Sequence, residues 1–208
     1  MAYPTVSAPY GLDPINRFDG IPYAGATQQL PIASTYNTAI YNGDIVLVSG
    51  GNIKKSAVTS DSTTDKANNA TYGVFVGVQY VNTQGQTVQA QYYPGNAAAT
   101  SAIAYVVMDP VAEFKVAVTY SGNSTISSTT LAAVGTNAAL IQGTGSTTTG
   151  DSGVSLAAPA AGAGNAAALP VRIVAVVPET ATGTNAFTEV VVKFNNPQIL
   201  LAAGNDFA

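Results

Sequence analysis

The sequence predicts an all-β fold, an antiparallel β-barrel or sandwich entered through an extended N-terminal arm. Three observations carry that prediction. Valine outnumbers leucine 23 to 9, threonine and tyrosine are frequent, and Glu and Lys are scarce, a balance that suits pleated, half-buried surfaces better than helices. Apolar and polar residues alternate with a period of two through the middle of the chain, the spacing of strands with one wet face. Prolines at positions 4, 9, 14, 22 and 31 keep a helix or a central strand out of the first 37 residues. Each removes a backbone donor and drives its predecessor towards extended geometry.

Residues 1–37 form the arm, which also carries Tyr3, Tyr10, Phe18, Tyr23 and Tyr36. Disordered tails are poor in aromatics, so the arm is expected to lie on its own domain or on a neighbouring subunit. The β-domain is expected over 38–194. Ile45-Val46-Leu47-Val48 and the run from Asn52 to Val58 read as two strands around Ser49-Gly50-Gly51. Residues 59–70 read as an exposed polar loop. The clearest hairpin follows. Val74, Val76, Val78 and Tyr80 are expected on one face, with Phe75, Gly77 and Gln79 on the other. A turn through residues 82–86 then leads into 87–93, where Val88, Ala90 and Tyr92 alternate with glutamines.

Residues 102–108 and 113–118 are expected as a further strand pair, broken at Asp109-Pro110. The stretch 119–168 is rich in Gly, Ser, Thr and Ala and is expected to be flexible, with weak strands near 138–141 and 154–157 and a helical turn at 131–134. Two strong strands, 171–177 and 187–194, close the domain through a loop holding Pro178 and Gly183. Residues 195–208 are expected as a C-terminal extension, docked through Ile199, Leu200 and Leu201.

Composition closes off much chemistry. Charged residues make up 9% of the chain, against about a quarter in an ordinary soluble protein. Leu, Ile, Val and Phe number 49 of 208 residues, above the roughly 20% below which disorder is the default. With no His and no Cys, there is no Ser-His or Cys-His nucleophile pair, no Cys/His zinc site and no disulfide framework. Seven basic residues and a net charge of −4 do not suit a nucleic-acid partner, which demands Lys and Arg to displace counterions. The N-terminus has no basic region followed by an apolar stretch, so no secretory signal is expected. The apolar tract from Leu156 to Val177 is interrupted by Pro159, Gly162, Gly164, Pro170 and Arg172, which does not suit a membrane span. The absence of cysteine fits synthesis in a reducing cytosol.

Each motif that suggests a site fails on its own requirements. In the glycine-rich stretch 143–150, Gly145 to Gly150 has the spacing of a phosphate loop, but Asp151 stands where the lysine is needed and would repel phosphate. Asp61, Asp65, Asn68 and Asn69 suggest a calcium loop, yet Lys66 replaces the turn glycine and Tyr72 the bidentate glutamate; only a nonstandard calcium site remains open there. Asp109 and Glu113 are an acidic pair close in sequence among the candidates for a glycosidase dyad, but Asp109 before Pro110 is more simply a turn former. No Ser-x-x-Lys dyad occurs. The expectation is a non-enzyme with no cofactor. The sequons at Asn69 and Asn123 are expected to be chance matches.

Tyr10-Gly11-Leu12-Asp13-Pro14, Asp19-Gly20-Ile21-Pro22-Tyr23-Ala24-Gly25-Ala26 and Leu30-Pro31-Ile32-Ala33 resemble the opening of a family of tailed-phage virion proteins. Its members are found in short-tailed phages, including marine and cyanobacterial ones. The resemblance continues through residues 38–46 and 169–174; the stretch 119–168 matches in composition alone. It implies a capsid decoration or cement protein on the outside of the major capsid protein shell, assembled in the host cytoplasm. It further implies a homo-oligomer, a trimer above all, with a small β-barrel or β-tulip core whose termini staple neighbouring capsid subunits. Neither nucleic acid nor membrane is an implied partner.

On that reading the arm anchors are Tyr10, Leu12, Ile15, Phe18, Ile21, Tyr23, Leu30 and Ile32. Large apolar groups gain roughly 1.5–3 kcal/mol each on full burial, and aromatics dominate interface hot spots. Packing on the arm's own barrel is the competing role for the same side chains. The low charge implies an assembly only weakly sensitive to salt. Competing functions are a tail or fibre protein with receptor or glycan binding, and a carbohydrate-binding module using Tyr92 or Tyr93. The first lacks the repeats and heptads of long fibres. The second is limited because adjacent residues of a strand face opposite sides.

Overall fold

Thirteen strands, two short 3-10 turns and no α-helix make up the described residues of the computed structural model, which are 8–56, 71–119, 131–158, 169–180 and 187–195. The strands are β1 (Asp13–Arg17), β2 (Gln28–Pro31), β3 (Ile45–Ser49), β4 (Asn52–Lys55), β5 (Gly73–Asn82), β6 (Thr87–Ala90) and β7 (Ala99–Val107), followed by β8 (Ala112–Thr119). The remainder are β9 (Asn137–Ala138), β10 (Leu140–Ile141), β11 (Ser155–Ala157), β12 (Val171–Val176) and β13 (Glu189–Phe194). The all-β class expected from composition is the class observed.

One sheet runs β10-β11-β8-β13-β12-β9, with β1 added on β8. Only Ala139 separates β9 from β10, so a single run of chain carries both ends of the sheet and nearly closes it into a barrel. Phe114, Val116, Leu156, Ile173, Val190 and Val192 point inwards and are fully buried. The second sheet runs β2-β7-β5-β3-β4, with β6 on β5. It is built from the continuous stretch 28–107, inserted between β1 and β8 of the barrel. Its own core holds Ile40, Val46, Ile53, Phe75, Val78 and Val106, while Ile45, Val74 and Val107 face the barrel core.

Three strand-level expectations need correction. The strands near 102–108 and 113–118 exist as β7 and β8, but they do not pair with each other. β7 pairs with β2 and β5, and β8 with β1, β11 and β13. The turn between them is the reason. Asp109 accepts from the backbone N–H of Val111 through its side chain at 3.0 Å and from that of Ala112 through its carbonyl at 3.1 Å. The turn so formed passes the chain from one sheet to the other instead of folding it back as a hairpin.

The alternation expected along β5 also breaks. Its register against β7 shifts between Phe75 and Gly77, an extra residue that reverses the facing of everything after it. Val74 and Val76 therefore pack on the barrel core, whereas Val78 and Tyr80 join Phe75 in the second core. The third correction is that one join is parallel, β11 to β8 at Leu156↔Val118 and Ala157↔Thr119.

The other elements follow the sequence more closely. β3 and β4 pair around Gly50-Gly51, β5 and β6 form the hairpin, and β12 pairs antiparallel with β13. The expected helical turn is the 3-10 turn Leu131–Ala133. Within the glycine-rich stretch, Leu140, Val154 and Leu156 are fully buried. Both proline-bearing strands, β1 with Pro14 and β2 with Pro31, sit at sheet edges, where a missing donor costs no ladder bond. The loop 59–70 with its calcium candidates, the sequons' Asn69 and Asn123, and the docking of Ile199, Leu200 and Leu201 lie outside the described residues.

Candidate functional site

The eight arm residues divide into three groups. Leu12 and Ile32 are core residues of their own domain, 1% and 5% exposed, the first in the barrel and the second in the inserted sheet. Tyr10, Ile15, Tyr23 and Leu30 are half-buried; Tyr23 packs against the barrel core and Leu30 against the second core. Phe18 and Ile21 are the two left open, 58% and 54% exposed.

Those two side chains crown a tight turn at the end of β1. Arg17 donates its backbone N–H to Ile21 at 3.0 Å, and Gly20 donates back to Arg17 at 3.0 Å. The Asp19 carboxylate accepts from the Ile21 N–H at 3.2 Å. Arg17 is held between Asp19 at 3.0 Å and Asp109 at 3.3 Å, which ties the turn to the corner between β7 and β8. Phe18 lies across the barrel's outer face, its ring 4.3 Å from the Lys193 ammonium. An exposed aromatic, a β-branched neighbour and a cation thus form one surface.

The base of the arm is locked by a polar cluster. The Tyr10 hydroxyl donates to Glu189 at 2.5 Å. The Lys115 ammonium lies 3.5 Å from the same carboxylate and 5.6 Å from the Tyr10 ring centroid. Burial above all, then the hydrogen bond and charge of Glu189, push the Tyr10 phenol well above its ordinary range. Asp13 is raised as well, chiefly by desolvation and further by Glu189, with Lys115 pulling the other way.

The raised Tyr10 phenol couples folding to proton release at alkaline pH. The folded state keeps the proton where the unfolded chain gives it up near pH 10, so stability falls as pH rises above about 10. Tyr10→Phe is expected to cost about 1–2 kcal/mol at neutral pH, because a buried carboxylate loses a donor. It should also flatten the alkaline decline, read by urea unfolding between pH 8 and about 11. An unchanged slope would count against the Tyr10–Glu189 link.

A second polar centre joins the two sheets. Asp44 is fully buried and accepts from the Tyr41 N–H at 2.8 Å and the Ser152 hydroxyl at 2.6 Å, while Lys55 pairs with it at 2.8 Å. Ser152 in turn accepts from the Val154 N–H at 3.0 Å. Backbone bonds run alongside, from Asn42 to Gly150, from Ser152 to Asn42 and from Leu12 to Gly43. A serine, an aspartate and a lysine together look like catalytic machinery, but Ser152 and Asp44 are 2% and 0% exposed. Their geometry is that of a clamp.

The glycine-rich loop is placed by the same centre. A Cβ on Gly145 would fall 2.3 Å from the Tyr41 ring, so the backbone lies flat against that aromatic rather than around a phosphate. Tyr41 stacks on Tyr92 with centroids 5.5 Å apart. Tyr93 is buried and donates its hydroxyl to the Tyr36 carbonyl at 2.9 Å. Neither tyrosine of the competing sugar-platform reading stands free.

Sequence reading passed over Asp44, Ser152 and Lys55, and also Arg172 and Lys193. The last two carried a usable signal, since each is a single charge between β-branched or aromatic residues and so faces outwards on its strand. Among the described residues no group of three or more acidic side chains is gathered for a metal ion, and no helix is long and apolar enough to cross a membrane.

Fold and surface together define an all-β protein with a nearly closed barrel, an inserted antiparallel sheet and an exposed apolar turn. Comparison of the chain with protein-family models, with curated proteins and with solved structures yields no match.

Proposed function

We propose that this protein is a virion structural protein, a capsid decoration or cement protein that binds the outer surface of the major capsid protein shell and stabilises the mature head. The observation that carries the reading is the exposed pair Phe18 and Ile21, held at the tip of a turn braced by two carboxylates. Such a tip presents apolar area without having to be ordered on binding, which lowers the entropic cost of association. Its residues lie inside the segment whose sequence resembles the phage family. A protein that binds the expanded shell but not its precursor stabilises the shell by mass action. A homo-oligomer, a trimer above all, multiplies that contact.

The direct test is the copy number of this chain in purified particles of the phage that encodes it, relative to the major capsid protein. A ratio near one to one supports decoration. A few per cent or less, or absence from the particle, overturns it. Deleting the whole arm is a poor second test, because Leu12, Ile32, β1 and β2 belong to the chain's own fold. Phe18→Ser combined with Ile21→Ser is cleaner. Both side chains are exposed, so stability should change by less than about 0.5 kcal/mol per site. Binding to expanded shells should weaken by at least about tenfold if these are interface anchors.

A further inference from the structure

The chain has seven Lys and Arg. Among the described ones, Arg17 is paired with Asp19 and Asp109, Lys55 with Asp44 and Lys115 with Glu189, while Lys54 donates to Ser49. The two others, Arg172 and Lys193, meet no carboxylate among the described residues. They are cross-strand neighbours, Arg172 on β12 opposite Lys193 on β13, and Arg172 is also opposite Asn137 on β9. Three adjacent strands thus present an amide, a guanidinium and an ammonium in one row on the barrel's outer face.

That row lines a cleft of about 320 Å³ formed by Asn137, Arg172, Lys193, Phe194 and Asn195. The guanidinium is fixed by its Nε–H, which donates to Asn137 Oδ1 at 3.2 Å. Asn195 donates to the same oxygen at 3.0 Å and to the Leu169 carbonyl at 2.9 Å, bracing the far wall. The terminal N–H groups of Arg172 and the Lys193 ammonium are the donors that these bonds leave over. At the rim, the exposed Phe18 ring covers one side of Lys193.

We propose that this cleft binds a carboxylate borne on an acidic segment of a partner protein, with an apolar side chain next to the acid resting on Phe18. A planar guanidinium matches a carboxylate with two parallel hydrogen bonds, and a neighbouring ammonium adds charge without crowding it. Two like charges placed side by side repel, and a bound anion removes that repulsion. The aromatic rim selects a peptide over a small free anion. A polyanion is disfavoured, since two cations in a chain of net charge −4 supply little of the counterion release that drives nucleic-acid binding. The inference concerns the ligand's chemistry and stands whether or not the partner is a capsid subunit.

The test uses the full chain at low ionic strength, followed through the Arg Nε–H signals in nitrogen-15 NMR. The probe is a blocked hexapeptide of alternating glutamate and leucine; the controls are its glutamine counterpart, inorganic phosphate and a short single-stranded oligonucleotide. The expected result is saturable movement of the Arg172 signal with the glutamate peptide alone. Affinity should drop about tenfold in Lys193→Gln, read through the same Arg172 signal. It should drop about as far in Arg172→Gln, read by peptide fluorescence anisotropy, and less in Arg172→Lys. Equal binding of the glutamine peptide, an unchanged affinity in Arg172→Gln, tighter binding of phosphate or oligonucleotide, or no saturable shift would each overturn the assignment. Arg172 is exposed and Lys193 half-buried, and an unaltered amide spectrum verifies that each variant keeps the fold.

Discussion

Asp44→Ala is expected to destabilise the protein by about 3–5 kcal/mol, the cost of breaking a buried ion pair from one side. The carboxylate is fully buried and serves three partners from three places in the chain, Tyr41, Lys55 and Ser152. Its loss strands an ammonium whose side chain is only 17% exposed, and leaves a backbone N–H and a hydroxyl without their acceptor. Asp44→Asn keeps an acceptor oxygen but no charge, so it should fall between wild type and alanine. Adding Lys55→Met to Asp44→Asn should recover part of the loss, because the unpaired cation is then gone. Urea unfolding at neutral pH reads all three. A cost below about 1 kcal/mol for alanine would mean that the clamp is incidental to the join between the sheets.

Gly43→Ala and Gly11→Ala should each cost about 3 kcal/mol or more, by a different route. Both glycines have φ near +90°, in the region that L residues avoid. They also face each other. A Cβ on Gly11 would lie 2.7 Å from the Gly43 carbonyl oxygen, and one on Gly43 would lie 2.9 Å from Gly11 Cα, Leu12 N and Tyr10 O. All of these are main-chain atoms, so no rotamer change relieves the overlap. Gly20→Ala is the matched comparison, since Gly20 shares the positive φ (+82°) but has open space around it. It should cost about 1–2 kcal/mol from backbone strain alone. The difference between the two kinds of site isolates the steric share. Equal costs would show that the close approach of Gly11 to Gly43 is not a constraint.

Local signals in the sequence were reliable where structure is local. The glycine turn between β3 and β4, the β5–β6 hairpin and the pairing of β12 with β13 join neighbours in the chain, and turn residues with alternation mark them. Two kinds of information were out of reach. The extra residue near Val76 changes which core receives Val78, yet the run from Val74 to Tyr80 alternates identically with or without it. The corner at Asp109-Pro110 carries the same residues as a hairpin turn, and only the partners waiting for β7 and β8 decide between them.

The site divides in the same way. The aromatic arm was visible, but which of its side chains stay open depends on cores assembled from residues far away. Leu12 is buried in a core whose members run from Ile45 to Phe194, while Phe18 is left open. The Asp44 clamp was invisible because Ser152 lies 108 positions downstream.

The insertion of one sheet between β1 and β8 of the other has a consequence for the order in which the chain comes off the ribosome. Every strand of the inserted sheet has been made by residue 107, so that sheet has its full set of partners early. The barrel has none of that advantage. β1 is among the first strands synthesised, its partner β8 follows only at residue 112, and β13, which sits between β8 and β12, ends at residue 194. At about 5–20 residues per second, β8 waits roughly 4–16 s for the strand that covers its other edge. During that interval the inward-facing valines of β8 and the turn bearing Phe18 and Ile21 are exposed together. Exposed apolar surface and an unpaired strand edge are what make a partly folded chain prone to aggregate, so the barrel half is the vulnerable one until β13 is in place.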